Sequence, residues 1–271
     1  MRSSDEARTA ELAARLVVEV VGSENSTVVQ LSGDRVAQVR GRRVVSKDGL
    51  VAPGTAAVFA HDEPDTVGLT LTAALGEAFR HRGYVLLTIG FFVCGFHVTF
   101  IMVHLPAYVV DLGLSGSVAA WCLALIGVFN IIGSIAVGLY GQRHSNSNGL
   151  SFIYAGRAIV ITALLLLPKT EFTLYLFACA MGLLWLSTVP LTTGVVTRIF
   201  GVRYMATLFS VVFFSHQVGS FIGVWLGGYI HDLTGTYDAV WQAAIVLGIV
   251  AAVLHVPINE KPLRRAASAA G

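Results

Sequence analysis

The chain has 271 residues, of which 55% are hydrophobic and 13% charged, and its mean hydropathy is +0.73. Soluble domains carry about 25% charged residues, so this composition excludes an ordinary soluble protein and points to one embedded in a bilayer. The formal net charge of +2 gives no basis for nucleic-acid binding. The three cysteines, Cys94, Cys122 and Cys179, sit in apolar runs without metal-ligand spacing, so they read as small core residues and imply neither metal nor cofactor.

Residues 1–66 read as a small soluble or partly disordered segment. Asp5–Val20 has the spacing of a short amphipathic helix, and Thr27–Leu31 and Val36–Val45 read as strands around the turn residues Ser32-Gly33-Asp34. The run Arg40, Arg42, Arg43 reads as a solvated strand edge. Residues 67–83 read as a linker with a short amphipathic helix ending in Arg80-His81-Arg82. A transmembrane domain follows over 84–258, then a polar tail over 259–271. Crossing the hydrocarbon core takes about 20 apolar residues per helix, and six runs are read as such spans: Tyr84–Val110, Ser117–Tyr140, Leu150–Leu167, Phe172–Val196, Met205–Ile230 and Ala239–Val256. The fold class is therefore an all-α membrane protein with six transmembrane helices.

Alternate loops place Arg80, Arg82, Arg143, Arg198, Arg203, Lys261, Arg264 and Arg265 on one side, against Lys169 alone on the other. That other side also carries Asp111, Glu171, Asp232 and Asp238. This bias predicts that both termini are cytoplasmic, in a plasma membrane of the bacterial inner-membrane kind.

Polar residues inside spans are the candidates for function. In the first span, His97 and His104 lie two turns apart with Gly90 on one face, and Asp111 continues the line. Histidine is the side chain best suited to exchange protons near neutral pH; the alternative is an imidazole hydrogen-bonded between helices. In the second span Asn130, with Ser134 and Gly138 at steps of four, is either interhelical glue or a solute hydrogen-bonder. Arg157 is the only charged residue well inside a span. It either snorkels to the headgroups, pairs with an acceptor such as Tyr154, or serves as an anion counter-charge. The fourth span carries Trp185, Ser187, Thr188, Pro190, Thr192 and Thr193, and Pro190 predicts a kink there. In the fifth, Ser215, Gly219, Gly223 and Gly227 recur every fourth residue and form a small-residue packing face. His216 and Gln217 lie beside that ladder near mid-span.

Two loops carry a family resemblance. Gly138-Leu139-Tyr140-Gly141-Gln142-Arg143 resembles the major facilitator superfamily motif of a Gly, three residues, an Asp and then Arg or Lys, with Gln142 in place of the acid. Gly228-Tyr229-Ile230-His231-Asp232-Leu233-Thr234-Gly235-Thr236-Tyr237 is similar to the G-x-x-x-D-x-T-G-x-Y loop before the last helix of monocarboxylate and oxalate/formate-type carriers. The motif positions are thus Gly138, Gly141, Arg143, Asp232, Gly235 and Tyr237. The resemblance implies that residues 66–262 correspond to helices seven to twelve, half of a twelve-helix carrier. Such a carrier moves a small solute, here a monocarboxylate or similar organic anion, by alternating access as a symporter or antiporter. Carriers of this group commonly place a substrate-binding Arg in the eighth helix; the matching span, Ser117–Tyr140, has none, and Arg157 belongs to the next. On this reading His97, Asn130, Trp185, His216 and Gln217 line the solute pathway, and His97 or His216 couples it to H+. The partners are the lipid bilayer, the solute, and an N-terminal half or a second copy of this chain. The alternative is a truncated fragment that acts only as a membrane binding or regulatory subunit. An intramembrane enzyme is not expected, because the spans carry no HExxH, no GxSxG elbow and no Asp pair.

Overall fold

The computed structural model describes residues 69–263 and, as backbone, four strands between Glu19 and Ser46. The chain divides into two units, Met1–Glu63 and Pro64–Gly271. In the first unit, β1 (Glu19–Ser23), β2 (Ser26–Leu31), β3 (Arg35–Arg40) and β4 (Arg43–Ser46) form an antiparallel sheet in sequential order. The single strand expected over Val36–Val45 is two strands, paired from Arg40 against Arg43. The sequence between them, Gly41-Arg42, is of the Gly-x type that favours a two-residue hairpin. The helix expected over Asp5–Val20 loses its last two residues to β1, where Val20 and Val21 pair with Val29 and Val28. β-branched residues favour such cross-strand pairs. The remainder of that expected helix, the turn at Ser32-Gly33-Asp34 and the side chains of the Arg40–Arg43 run lie outside the described residues.

In the second unit the described residues form α1 (Leu71–Arg80), α2 (Arg82–Asp111), α3 (Gly116–Arg143), α4 (Asn146–Leu166), α5 (Glu171–Leu183), α6 (Thr188–Phe200), α7 (Met205–Thr234) and α8 (Asp238–His255). Six helical stretches are long and apolar enough to cross a membrane, with α5 and α6 together making the fourth, Glu171–Phe200. Their ends carry local stop and start signals. Thr70, Ser145 and Thr170 cap α1, α4 and α5 by accepting backbone N–H bonds from Ala73, Asn148 and Thr173. Gly235 closes α7 in the left-handed conformation, φ +71°, with its N–H on His231 O at 2.8 Å.

Side-by-side packing pairs α2 with α7, α3 with α5, and α4 with α8. The α2–α7 seam is the closest. Ser215 Oγ donates to Thr88 O at 2.6 Å. A Cβ on Gly219 would run into the carbonyl of Phe92, and one on Gly223 would lie 2.7 Å from Phe96 O. At Gly227 the obstruction is the His104 ring, 2.6 Å away. From the other side, a Cβ on Gly95 would strike the carbonyl of His216. Helices in lipid gain no hydrophobic drive from meeting each other, so such backbone approach supplies dispersion contact instead. The outward faces of α3 and α7 expose Trp121, Ile132 and Ile135, and Phe214, Phe221 and Trp225.

The seam generates a paired prediction. Gly219→Val meets backbone that cannot give way and costs about 2–3 kcal/mol or more. Gly127→Ala, with nothing within 4 Å of its Cβ, leaves stability within about 1 kcal/mol of wild type, because only helix propensity changes. Unfolding of the detergent-purified protein by heat or by titrated denaturant measures both.

Candidate functional site

The fourth span breaks in the turn that precedes Pro190, the stretch a proline disturbs. It unwinds over Leu184–Ser187, between α5 and α6. Pro190 falls in the first turn of α6, where a missing N–H costs little. Unwound backbone at membrane depth must be satisfied by protein, and each group from Met181 to Leu186 can be followed. The carbonyls of Met181 and Gly182 accept from Leu184 and Trp185 N–H at 3.1 Å each. Leu183 O accepts from Ser187 Oγ at 2.7 Å. Leu184 O accepts from Arg157 Nε at 3.1 Å and Nη2 at 2.8 Å, and Trp185 O accepts from the same Nη2. Leu186 O takes the N–H of Val189 at 3.0 Å, and Leu186 N–H donates to Asn130 Oδ1 at 3.0 Å.

Arg157 is fully buried. It lies eleven residues into α4, about 16 Å at 1.5 Å per residue, which is near the ~15 Å half-thickness of the hydrocarbon core. At that depth the guanidinium does not snorkel; it turns sideways onto the broken span. The Tyr154 ring lies beneath it at 5.4 Å, a cation–π contact in place of a hydroxyl acceptor. The two ion pairs among the described residues are Arg198–Glu260 and His231–Asp111, so no carboxylate neutralises Arg157 there. Its Nη1 is buried without a hydrogen-bond partner among the described residues, as are His97 Nδ1, Tyr154 OH and Thr192 Oγ1.

Cys94 ties this centre to α7. Its thiol lies 3.6 Å from Arg157 Nη2 and 3.2 Å from Thr188 Oγ1, and beside the His216 ring. His216 Nδ1 lies 3.2 Å from Gln217 Oε1 and 3.4 Å from Ser220 Oγ, which in turn accepts from Thr99 Oγ1 at 2.9 Å. Phe213 stacks on the His216 ring and Phe91 packs against it. The structure thus gathers Arg157, Trp185 and His216 around Cys94, with Gln217 exposed next to them and Asn130 on the far side of the break, where Ser134 Oγ also donates to it. It sends the two histidines of α2 elsewhere: His97 bonds Ala244 O on α8 at 2.8 Å, and His104 bonds Val224 O on α7 at 2.9 Å. Cys94 and Thr188 are the site residues that sequence reasoning passed over; Cys94 lies one helical turn before His97, and Thr188 was noted only as one of several hydroxyls.

The loop positions separate as well. Gly138 and Arg143 are not engaged in the fastening at the basic end, and Arg143 is exposed. Gly141 supplies its carbonyl to Arg198 Nη2 at 2.7 Å, and Arg198 Nη1 reaches His144 O at 3.1 Å and Glu260 at 2.5 Å. Glu260 also accepts from Ser145 Oγ at 2.8 Å and Ser147 N–H at 2.6 Å. At the opposite end Asp232 is exposed, while Tyr237 is buried beneath the His231 ring, which bonds Asp111 at 3.0 Å.

Six apolar helices enclosing a polar centre and an unwound stretch at mid-depth define a multi-pass membrane protein of the transporter type. The chain belongs to the Major Facilitator Superfamily, whose family model matches residues 68–271. It is similar to an uncharacterized MFS-type transporter, YcxA, of Bacillus subtilis (strain 168), at 29% identity over 182 residues, covering 65% of this chain and 44% of that one. It is also similar to monocarboxylate transporter 12-B of Danio rerio (26% identity, 59% of this chain, 36% of the relative). Human monocarboxylate transporter 12 is 26% identical over 58% of this chain and 31% of its own length. The chain spans less than half the length of these curated relatives. The family is one of transporters rather than enzymes.

The fastening at the basic end carries a pH prediction. Burial pushes the Glu260 carboxyl up, but the Ser147 N–H, the Ser145 and Ser147 hydroxyls and Arg198 outweigh it and hold the carboxyl below its ordinary 4.5. A depressed carboxyl contributes its full stabilisation above pH 4.5 and loses it as pH falls through the lower folded value. Glu260→Gln is expected to cost about 1–2 kcal/mol at neutral pH and to flatten the acid limb of the stability profile. Unfolding midpoints taken from pH 7 to pH 3 test this.

Proposed function

We propose that the six-helix unit forms one wall of a secondary-active carrier for a small organic anion, a monocarboxylate by preference, working by alternating access. The observation that carries this reading is the mid-membrane centre itself. Among the described residues, a buried guanidinium without an acidic partner, one of its donors unpaired, stands beside unwound backbone. Charge at that depth is costly to keep unless it serves a function, and discontinuous helices are where secondary transporters place their solutes. The names of the relatives, monocarboxylate transporters among them, support the same class of solute.

In this mechanism Arg157 provides the counter-charge for the carboxylate, and Asn130, Trp185, His216 and Gln217 border the route. His216 is the better proton carrier of the two candidates. His97 is 1% exposed and bonded to a backbone carbonyl, whereas His216 is 8% exposed and adjoins the exposed Gln217. The packing ladder Ser215, Gly219, Gly223 and Gly227 holds that wall against α2. The opposite wall comes from a first half or from a second copy of the chain. The ends bearing Arg80, Arg143 and Arg198 face the cytoplasm, in a bacterial inner membrane.

Proteoliposomes test the reading. The chain, alone and together with a separately expressed first half, is expected to take up labelled L-lactate above the level of empty vesicles when a proton gradient is imposed. The double substitution His216→Leu, Gln217→Leu is expected to lower that uptake about tenfold at equal protein, the scale of one or two lost hydrogen bonds. Absence of uptake in every arrangement, for lactate and for other small anions, would replace the carrier with a non-transporting membrane subunit.

A further inference from the structure

We infer that the break in the fourth span is imposed by its neighbours: Arg157 on α4 and Asn130 on α3 are positioning residues that hold Leu184–Ser187 open, and without them the span closes into one helix. Pro190 crowds the Leu186 carbonyl and favours a bend in this turn, but it does not account for the bonds made by Leu184 O, Trp185 O and Leu186 N–H. Leu184-Trp185-Leu186-Ser187 contains neither Gly nor Pro. Pro190 withholds one donor, the one that Leu186 O would receive in a continuous helix, and Val189 N–H already takes its place. For Leu184 O, a continuous helix offers the N–H of Thr188, which is not a proline. Leu184 O and Trp185 O accept from Arg157 instead.

The reason is the charge. A guanidinium buried without a carboxylate must find acceptors, its bonds are charge-assisted, and its planar fork addresses two carbonyls at once. The carbonyls at the C-terminal end of α5 are also the negative end of that helix dipole, the place where a cation is most favoured. Asn130 acts from the other side. The Leu186 N–H, which in a helix would return to Gly182 O, goes to Asn130 Oδ1, while Gly182 O is taken by Trp185 in a tighter turn. One side chain holds the acceptors and the other holds the donor.

The two half-helices are also mounted separately. α5 packs chiefly on α3, and α6 packs on α4, α3 and α7. The far end of α6 is fastened by Arg198 to Gly141, His144 and Glu260. With the end of α5 and the break held by Arg157 and the outer end of α6 tied by Arg198, α6 is a body that can tilt about the break when the outer tie lets go. What such a tilt would serve rests on the carrier reading; the pin does not.

The test is residue-resolved backbone amide exchange on the full chain in lipid nanodiscs, with no solute present, so it stands or falls apart from any transport assay. Arg157→Leu is expected to slow exchange at Thr188 by about tenfold as the span closes over the vacated Leu184 carbonyl, while Val189, already bonded to Leu186 O, changes little. A bundle that was merely destabilised would exchange faster at those amides. Asn130→Leu is expected to speed exchange at Leu186 by about five- to tenfold, while Asn130→Asp, which keeps an acceptor oxygen, stays near wild type. Peptides from α2 and α8 serve as controls and should not change. Unchanged or faster exchange at Thr188 in Arg157→Leu, or equal behaviour of the two Asn130 variants, would overturn the inference. If Arg157→Leu does not yield folded protein, the Asn130 pair decides by the same criterion.

Discussion

The requirement that every peptide group find a partner inside the protein governs this bundle. In water, the four residues between α5 and α6 would be an unremarked loop. At mid-membrane there is no solvent to serve them, and each unpaired N–H or C=O would cost several kcal/mol. The chain meets that demand with side chains from two other helices and a serine from the span itself. The same arrangement resolves a second difficulty. A cation at this depth without a carboxylate would be prohibitive if it faced lipid, yet ringed by carbonyl oxygens, a thiol and an aromatic face it is well accommodated. The unwound backbone and the buried arginine each offset part of the other's penalty, while Arg157 Nη1 stays unpaired among the described residues.

Around this centre the helices meet closely at two glycine-lined seams, α2 on α7 and α3 on α5. α2 and α7 meet backbone to backbone along Gly95, Gly219 and Gly223, which leaves little room for one to slide on the other. α5 and α6 are 13 residues each, with ends set by contacts from elsewhere. On the α3–α5 seam a Cβ on Gly133 would strike the carbonyl of Leu183 and one on Gly182 would lie 2.8 Å from Ile126 O, so glycines mark close approach at both seams, and long polar side chains hold the break between α5 and α6.

Much of the architecture was legible in the sequence, for a physical reason. A span must be continuously apolar, so its ends are marked by the first charges, and six of them fall within a few residues of the helices found. Side-chain contacts were less legible. Arg157 was recognised as anomalous, but its acceptors are main-chain carbonyls, which carry no residue-type signal. Pro190 marks the break, since the turn before a proline is where a helix opens. Ser187-Thr188-Val189-Pro190, however, also has the form of a helix start, with small hydroxyl residues followed by proline in the first turn, and that is how the chain uses it. His97 and His104 share a face by spacing, yet neighbours on two different helices claim them. In the first unit, the stretch expected as one strand is two, paired from Arg40 against Arg43, a reversal that the alternating pattern does not mark.

The segment after α8 is short but is built into the bundle. Ile258 is buried, Glu260 bonds the α3–α4 junction, and Leu263 N–H donates to Ile199 O at the end of α6 at 3.0 Å. These residues act as a strap across three helices. Reporter fusions or epitope tags attached beyond Leu263 therefore leave the strap intact, whereas a protease nick or shortened variant that removes Asn259 to Leu263 would unbuckle α6 while leaving every membrane-crossing residue in place.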